Sequence, residues 1–197
     1  MSQYSAIPRK KLEIRQIVQN IRKTFKISDS KPFPIMCFIE RVLRFLDDDF
    51  TLEIVPDNQL KGVYAKTYPE YHKIVVRETV YDGACNRNGF YRIIMAHELG
   101  HYIMHTSNML CFAKSIYNEK MPKEYSVEWQ ADIFAYELMM PFDLVKNAKN
   151  YKEIGRKCLI DSSNAKKRLE IVRKEIKNNK NRMKRKTKSH SKRFGKQ

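Results

Sequence analysis

His97-Glu98-Leu99-Gly100-His101-Tyr102-Ile103-Met104-His105 is the stretch that decides the fold. It closes a proline-free apolar run, Phe90 to His105, whose length and composition predict a buried helix. A spacing of four sets His97 and His101 on one helical face, one turn apart, where two imidazoles can hold one cation. Glu98 stands beside them, within reach of a water on that cation, as a general base must be. Ile93, Ile94 and Met104 make the helix apolar. Two histidines and a glutamate buried there as ordinary core residues would be costly without a metal or other partners. His105 does not have the spacing of the third histidine in HExxHxxGxxH. It is read as a surface residue or as a support behind a ligand.

A catalytic zinc site takes three protein ligands and keeps one position open. Ser126 is placed to cap a further helix that runs to Met140, with Pro141 after its end. Glu128 and Asp132 are again four apart and share a face with Ala131, Ala135 and Leu138. Carboxylates on the apolar side of a helix are costly unless they meet cations. Glu128 alone reads equally well as a solvated first-turn acid favoured by the helix dipole. With HExxH upstream it becomes the preferred third ligand. Asp132, one turn on, can accept the second N–H of a ligating histidine and fix its tautomer. This pair resembles the ExxxD of thermolysin-type zinc peptidases.

The two blocks together, HELGHYIMH at His97–His105 and EWQADIFAYELMMP at Glu128–Pro141, resemble the ImmA/IrrE family of metallo-endopeptidases. The second block matches that family's signature at Glu128, Ala131, Asp132, Phe134, Ala135, Leu138, Met139, Met140 and Pro141. Ser162-Ser163-Asn164-Ala165 with Arg168-Leu169 is similar to its C-terminal helical pattern. The resemblance covers a core of roughly 51–144. The N-terminal helices carry no diagnostic motif, and the C-terminal tail lies outside the pattern.

The resemblance implies an α+β, zincin-like domain. It implies one Zn²⁺ per chain on His97, His101 and Glu128, with Mn²⁺ or Fe²⁺ as alternatives. Glu98 would be the general base, and Tyr125 and Tyr102 are both candidates for an oxyanion donor. In related zinc peptidases a strand before the active helix pairs with an extended substrate. His72–Arg77 is read either as that strand or as an ordinary internal one. The implied protein substrate is a helix-turn-helix, DNA-binding repressor of a mobile element, phage or stress regulon. The competing expectation is a zincin-fold module without catalysis that binds a repressor or nucleic acid.

Upstream, the apolar spacing predicts helices over Lys10–Lys26 and Ile35–Leu46. Alternation and β-branched content predict short strands over Phe50–Val55, Gly62–Thr67 and His72–Arg77. Their closeness predicts a small, mostly antiparallel three-stranded sheet packed on the helices. Tyr81–Asn88 reads as a linker and Thr106–Glu124 as a long irregular stretch. The C-terminal part reads as helical: Pro141–Lys149, Tyr151–Leu159, and a last helix from Ser163 to about Lys177, capped by Asp161 or Ser162.

The 39 Lys+Arg and 22 Asp+Glu leave a net charge of +17. Residues 173–197 carry 12 of the bases and one acid, so +11 of that excess sits there. The division is therefore 1–172, the metallopeptidase-like domain, and 173–197, a basic tail too poor in apolar residues to offset its ordering entropy and expected to be disordered. The tail reads as solubilising, or as a non-specific contact to nucleic-acid phosphates. Cys37, Cys85, Cys111 and Cys158 form no CxxC pair and are read as free thiols of a reducing, cytoplasmic compartment. No apolar run approaches the roughly 18 residues that span a bilayer. Met1–Lys11 has no apolar signal core. No membrane partner is expected, and a secreted peptidase or toxin is disfavoured.

Overall fold

The most apolar strand takes the centre of the sheet, and the topology follows from that. The computed structural model describes residues 5–105, 110–111 and 122–194, with side chains over 6–105 and 122–183. In chain order it contains β1 (Ser5–Ala6), α1 (Lys11–Thr24), α2 (Ile35–Cys37), a π-helical segment Phe38–Leu43, α3 (Arg44–Leu46), β2 (Thr51–Val55), β3 (Ala65–Tyr68) and β4 (Lys73–Arg77). There follow α4 (Glu78–Cys85), α5 (Gly89–Met104), β5 (Leu110–Cys111), α6 (Val127–Met139), α7 (Phe142–Asn147), α8 (Tyr151–Cys158) and α9 (Ser162–Phe194). The class is α+β, as the residue pattern predicted.

The expectation of a mostly antiparallel sheet needs correction. The strand order is β2-β4-β3. β3 and β4 form an antiparallel pair, Ala65 opposite Val76 and Tyr68 opposite Lys73. β2 and β4 run parallel, with Thr51 opposite Lys73 and Val55 opposite Arg77. The sheet is therefore mixed. Burial is the reason: Ile74, Val75 and Val76 are all buried, whereas β2 is mostly exposed. A run apolar on both faces belongs between two neighbours, and the more polar strands belong at the edges.

Helix ends are set by local chemistry. The Asn88 side chain accepts from the N–H groups of Phe90 and Tyr91 and starts α5. Ser126 Oγ accepts from Trp129 N at 3.2 Å and starts α6. Asp161 Oδ1 accepts from Asn164 N at 3.0 Å at the start of α9. Three expectations differ from the helices observed. Tyr81–Asn88 is not a linker, because α4 occupies most of it and buries Val80 and Ala84. The predicted Ile35–Leu46 helix is π-helical in its middle, where Phe38, Ile39 and Leu43 all turn inward. The basic tail expected to be disordered continues α9 as helix to Phe194. Lys and Arg are good helix formers, and no Gly or Pro interrupts the run before Gly195.

The core joins the sheet to α5 and α6. Ile74 and Val76 of β4, Met95 and Leu99 of α5, and Phe134 and Leu138 of α6 belong to one buried cluster that also includes Ile14 and Val18 of α1. α5 and α6 approach closely because Gly100 has no side chain. A Cβ there would lie 3.1 Å from Phe134 Cδ1 and 3.3 Å from the Ala131 Cα. The far end of α6 is held by buried ions. Glu137, 1% exposed, meets Arg15 of α1 at 2.9 Å and Arg168 of α9 at 2.7 Å. Arg22 of α1 donates to the Leu138 carbonyl at 2.7 Å.

Most of the irregular Thr106–Glu124 stretch lies outside the described residues. Of it, Leu110–Cys111 pair antiparallel with Ser5–Ala6, and Lys123–Tyr125 form a 3₁₀ turn before α6. Cys37, Cys85 and Cys158 are free thiols. Among the described residues no helix is long and apolar enough to cross a membrane.

Candidate metal centre

Two helices with different jobs meet at the site. α5 presents His97 and His101 one turn apart, and α6 presents Glu128 from its first turn. The close crossing at Gly100 brings the two sets together. His97 Nε2 lies 2.9 Å from His101 Nε2 and 3.3 Å from Glu128 Oε2, and His101 Nε2 lies 3.5 Å from Glu128 Oε1. Tetrahedral ligands with bonds of about 2.0–2.2 Å stand about 3.4 Å apart, so these spacings suit one small cation. The donor set, two imidazole nitrogens and a carboxylate oxygen, is that of a catalytic zinc site with an open position. The two histidines are half-buried and Glu128 is exposed, so the group faces solvent on one side.

The ring nitrogens that point away from this group have partners. His97 Nδ1 lies 2.9 Å from Asp132 Oδ1, which places the carboxylate one turn beyond Glu128 behind the first histidine. Burial opposes a charge on His97, but hydrogen bonds to Asp132 and then Glu128 outweigh it and push its pKa from 6.5 up to about 10. The same histidines, His101 first and His97 next, hold Glu128 well below the usual carboxylate range. Behind His101 stands His105, their Nδ1 atoms 3.1 Å apart. His105 is buried, 2% exposed, and its Nε2 lies 3.2 Å from Gln130 Oε1. Burial, and after it the neighbouring His101, lowers the His105 pKa to about 4.

Glu98 is 8% exposed and has a partner that no motif announced. The Thr67 hydroxyl on β3 lies 2.7 Å from Glu98 Oε2 and 3.0 Å from the Glu98 carbonyl oxygen. One carboxylate oxygen is thereby engaged from the sheet.

One candidate is set aside here and one open alternative is decided. Tyr102 is not turned towards the ligands. It follows His101 by about 100° around the helix, stacks edge-on against Phe50 at 5.0 Å, and donates its hydroxyl to Asp47. Burial and that bond raise its pKa. Tyr125, in the turn before Ser126, is exposed, and its hydroxyl has no hydrogen-bond partner among the described residues. Of the two readings left open for His72–Arg77, the internal strand is the one observed, because β4 has both sides filled by β2 and β3. β3 is the sheet edge that carries Thr67 to Glu98. Spacing alone hinted at His105, which follows His101 by one turn on the same face. Nothing local marked Gln130, which is fully buried between two exposed acids, or Thr67, whose role depends on the strand order.

Residues 58–178 match the model of a family described as Peptidase_M78, IrrE N-terminal-like domain. The match takes in β3, β4, α5, α6 and every residue of the site. No curated protein sequence matches the chain.

Proposed function

Because the chain belongs to the Peptidase_M78 family of IrrE N-terminal-like domains, we propose that it is a metal-dependent endopeptidase acting on a regulatory protein. The observation that carries this reading is the convergence of His97, His101 and Glu128 beside a Glu98 oriented by Thr67. A divalent cation held by these three residues, Zn²⁺ by preference of the donor set, supplies Lewis acidity to the scissile carbonyl and a nucleophile at neutral pH. Mn²⁺ and Fe²⁺ fit the same donors.

Glu98 takes the proton of the attacking water and delivers it to the departing amine. Thr67 keeps the carboxylate facing that water. Asp132 keeps the proton of His97 on Nδ1, so that Nε2 offers its lone pair. Tyr125 is the proposed donor to the developing oxyanion, since its hydroxyl has no hydrogen-bond partner among the described residues and it precedes Ser126, the cap of α6. An extended substrate segment pairs with the outer edge of β3, which has no neighbouring strand among the described residues.

The resemblance favours a helix-turn-helix repressor as substrate, in the cytoplasm. The test is incubation of the chain with purified helix-turn-helix repressors, with and without a chelator, and with Glu98→Gln as control. Cleavage that needs metal and is lost in Glu98→Gln, with metal still bound, is the expected result. A repressor that is bound but left intact under metal-replete conditions would replace this reading with that of a sequestering module.

A further inference from the structure

Gln130 and His105 are buried polar side chains that the proposed reaction does not use. They form a chain of hydrogen bonds ending at His101, and its polarity can be worked out from the far end. Gln130 Nε2 lies 2.9 Å from the Ile7 carbonyl and 2.7 Å from the Glu124 carbonyl. Two carbonyl acceptors fix that atom as the NH₂ group, so the Gln130 oxygen faces His105. His105 Nε2, at 3.2 Å from that oxygen, must then carry the proton. A neutral imidazole has only one N–H, so His105 Nδ1 is an acceptor. The Nδ1–Nδ1 contact of 3.1 Å needs one proton, which therefore belongs to His101. His101 Nε2 is left with a bare lone pair, pointing at His97 Nε2 and Glu128. The reverse assignment would set the Gln130 oxygen against an unprotonated His105 Nε2, or against two carbonyls.

We propose that Gln130 and His105 form a tautomer relay that holds His101 in its metal-binding form. This rests on the metal-site reading above. Both are positioning residues: neither touches the cation or the substrate, and they act through His101. Asp132 performs the same service for His97 with a charge, whereas this arm performs it with neutral groups. One of the two carbonyls on which the relay starts lies far away in sequence. Ile7 directly follows β1, and Glu124 lies in the turn before α6, where its carbonyl also accepts from Arg9 N at 3.1 Å. The docking of the N-terminal segment is thereby coupled to the form of a metal ligand.

The test uses the full chain and Zn²⁺. Competition with a chromophoric chelator measures affinity, and the thermal midpoint of each apoprotein checks folding. His105→Phe, which fills the space but accepts nothing, should weaken Zn²⁺ binding about 10- to 100-fold. His105→Asn, whose Oδ1 replaces the Nδ1 acceptor, should recover most of that loss. Equal loss in both variants, or wild-type affinity in His105→Phe, overturns the relay. Nitrogen NMR of ¹⁵N-histidine in the wild-type apoprotein reads the tautomers directly and needs no variant. His105 should be the Nε2–H form and His101 the Nδ1–H form. A His105 proton on Nδ1 overturns the proposal even if the chain proves to be an active peptidase. The expected tautomers with no affinity for Zn²⁺ would remove the function the relay is assigned, and would overturn it together with the metal-site reading.

Discussion

Thr67 shows what a single hydroxyl can do at this site. A carboxylate on a helix can rotate, and a base that rotates spends part of its time facing the wrong atom. The hydrogen bond of 2.7 Å from β3 removes that freedom from Glu98. Thr67→Val keeps the shape of the side chain and loses the bond. It should lower kcat by about tenfold or more while leaving metal affinity unchanged, as steady-state kinetics beside a metal titration would record. His97 carries a second prediction. Its pKa in the apoprotein is raised from 6.5 to about 10 by Asp132 and Glu128, against burial. The stabilisation from its charge is fully present below about pH 6.5 and is lost as pH rises through about 10. A cation must displace that proton. Metal affinity should therefore climb about tenfold per pH unit across that window, with proton release seen by calorimetry in buffers of different ionisation enthalpy. His97 and His101 were legible as a pair because helical spacing is local. Thr67 and Gln130 were not, because their partners come from elements about 30 residues away or from backbone carbonyls, which leave no mark in sequence.

At the scale of elements, the crossing of α5 and α6 decides how far apart the ligands stand. Gly100 lies inside the HExxH block, and its missing Cβ lets the helices approach at Phe134 and Ala131. Gly100→Ala asks the neighbouring ring and backbone to give by a few tenths of an ångström. Overpacking of this kind typically costs about 1–3 kcal/mol. It should lower the denaturation midpoint and weaken metal binding together, since Glu128 moves with α6. Two helix starts were legible because Ser126 and Asp161 act on the N–H groups just after them. Strand order was not. The alternation that marks β2, β3 and β4 says which residues face inward, but direction and neighbour depend on the connections. The apolarity of Ile74-Val75-Val76 held the clue to a central strand, and the same clue rules out β4 as the substrate-binding edge.

At the scale of the whole molecule, the family match begins at residue 58, yet the fold does not. α1 packs on α6 and sends in Arg15 and Arg22, which reach Glu137 and the Leu138 carbonyl. Nothing in the residue pattern joined these groups, because a buried ion pair across 122 positions has no periodicity. Glu137→Gln removes the charge that Arg15 and Arg168 share. Breaking a buried pair by losing one partner costs about 3–5 kcal/mol, which a urea titration would resolve. The excess positive charge has a different geography. Most of it lies past Ile176, the last residue packed on the core among the described residues.

The clasp at Glu137 also sets a schedule. A ribosome releases the chain from its N-terminus at about 5–20 residues per second. His97, His101 and Glu128 are all made before Arg168, whose guanidinium completes the neutralisation of Glu137 at the far end of the ligand helix. For some seconds the nascent protein thus owns His97, His101 and Glu128 while Glu137 has Arg15 as a counter-charge but not yet Arg168. Closure of α9 over α1, through Glu175 with Lys11 and Arg15, therefore comes after all three of these groups have been made.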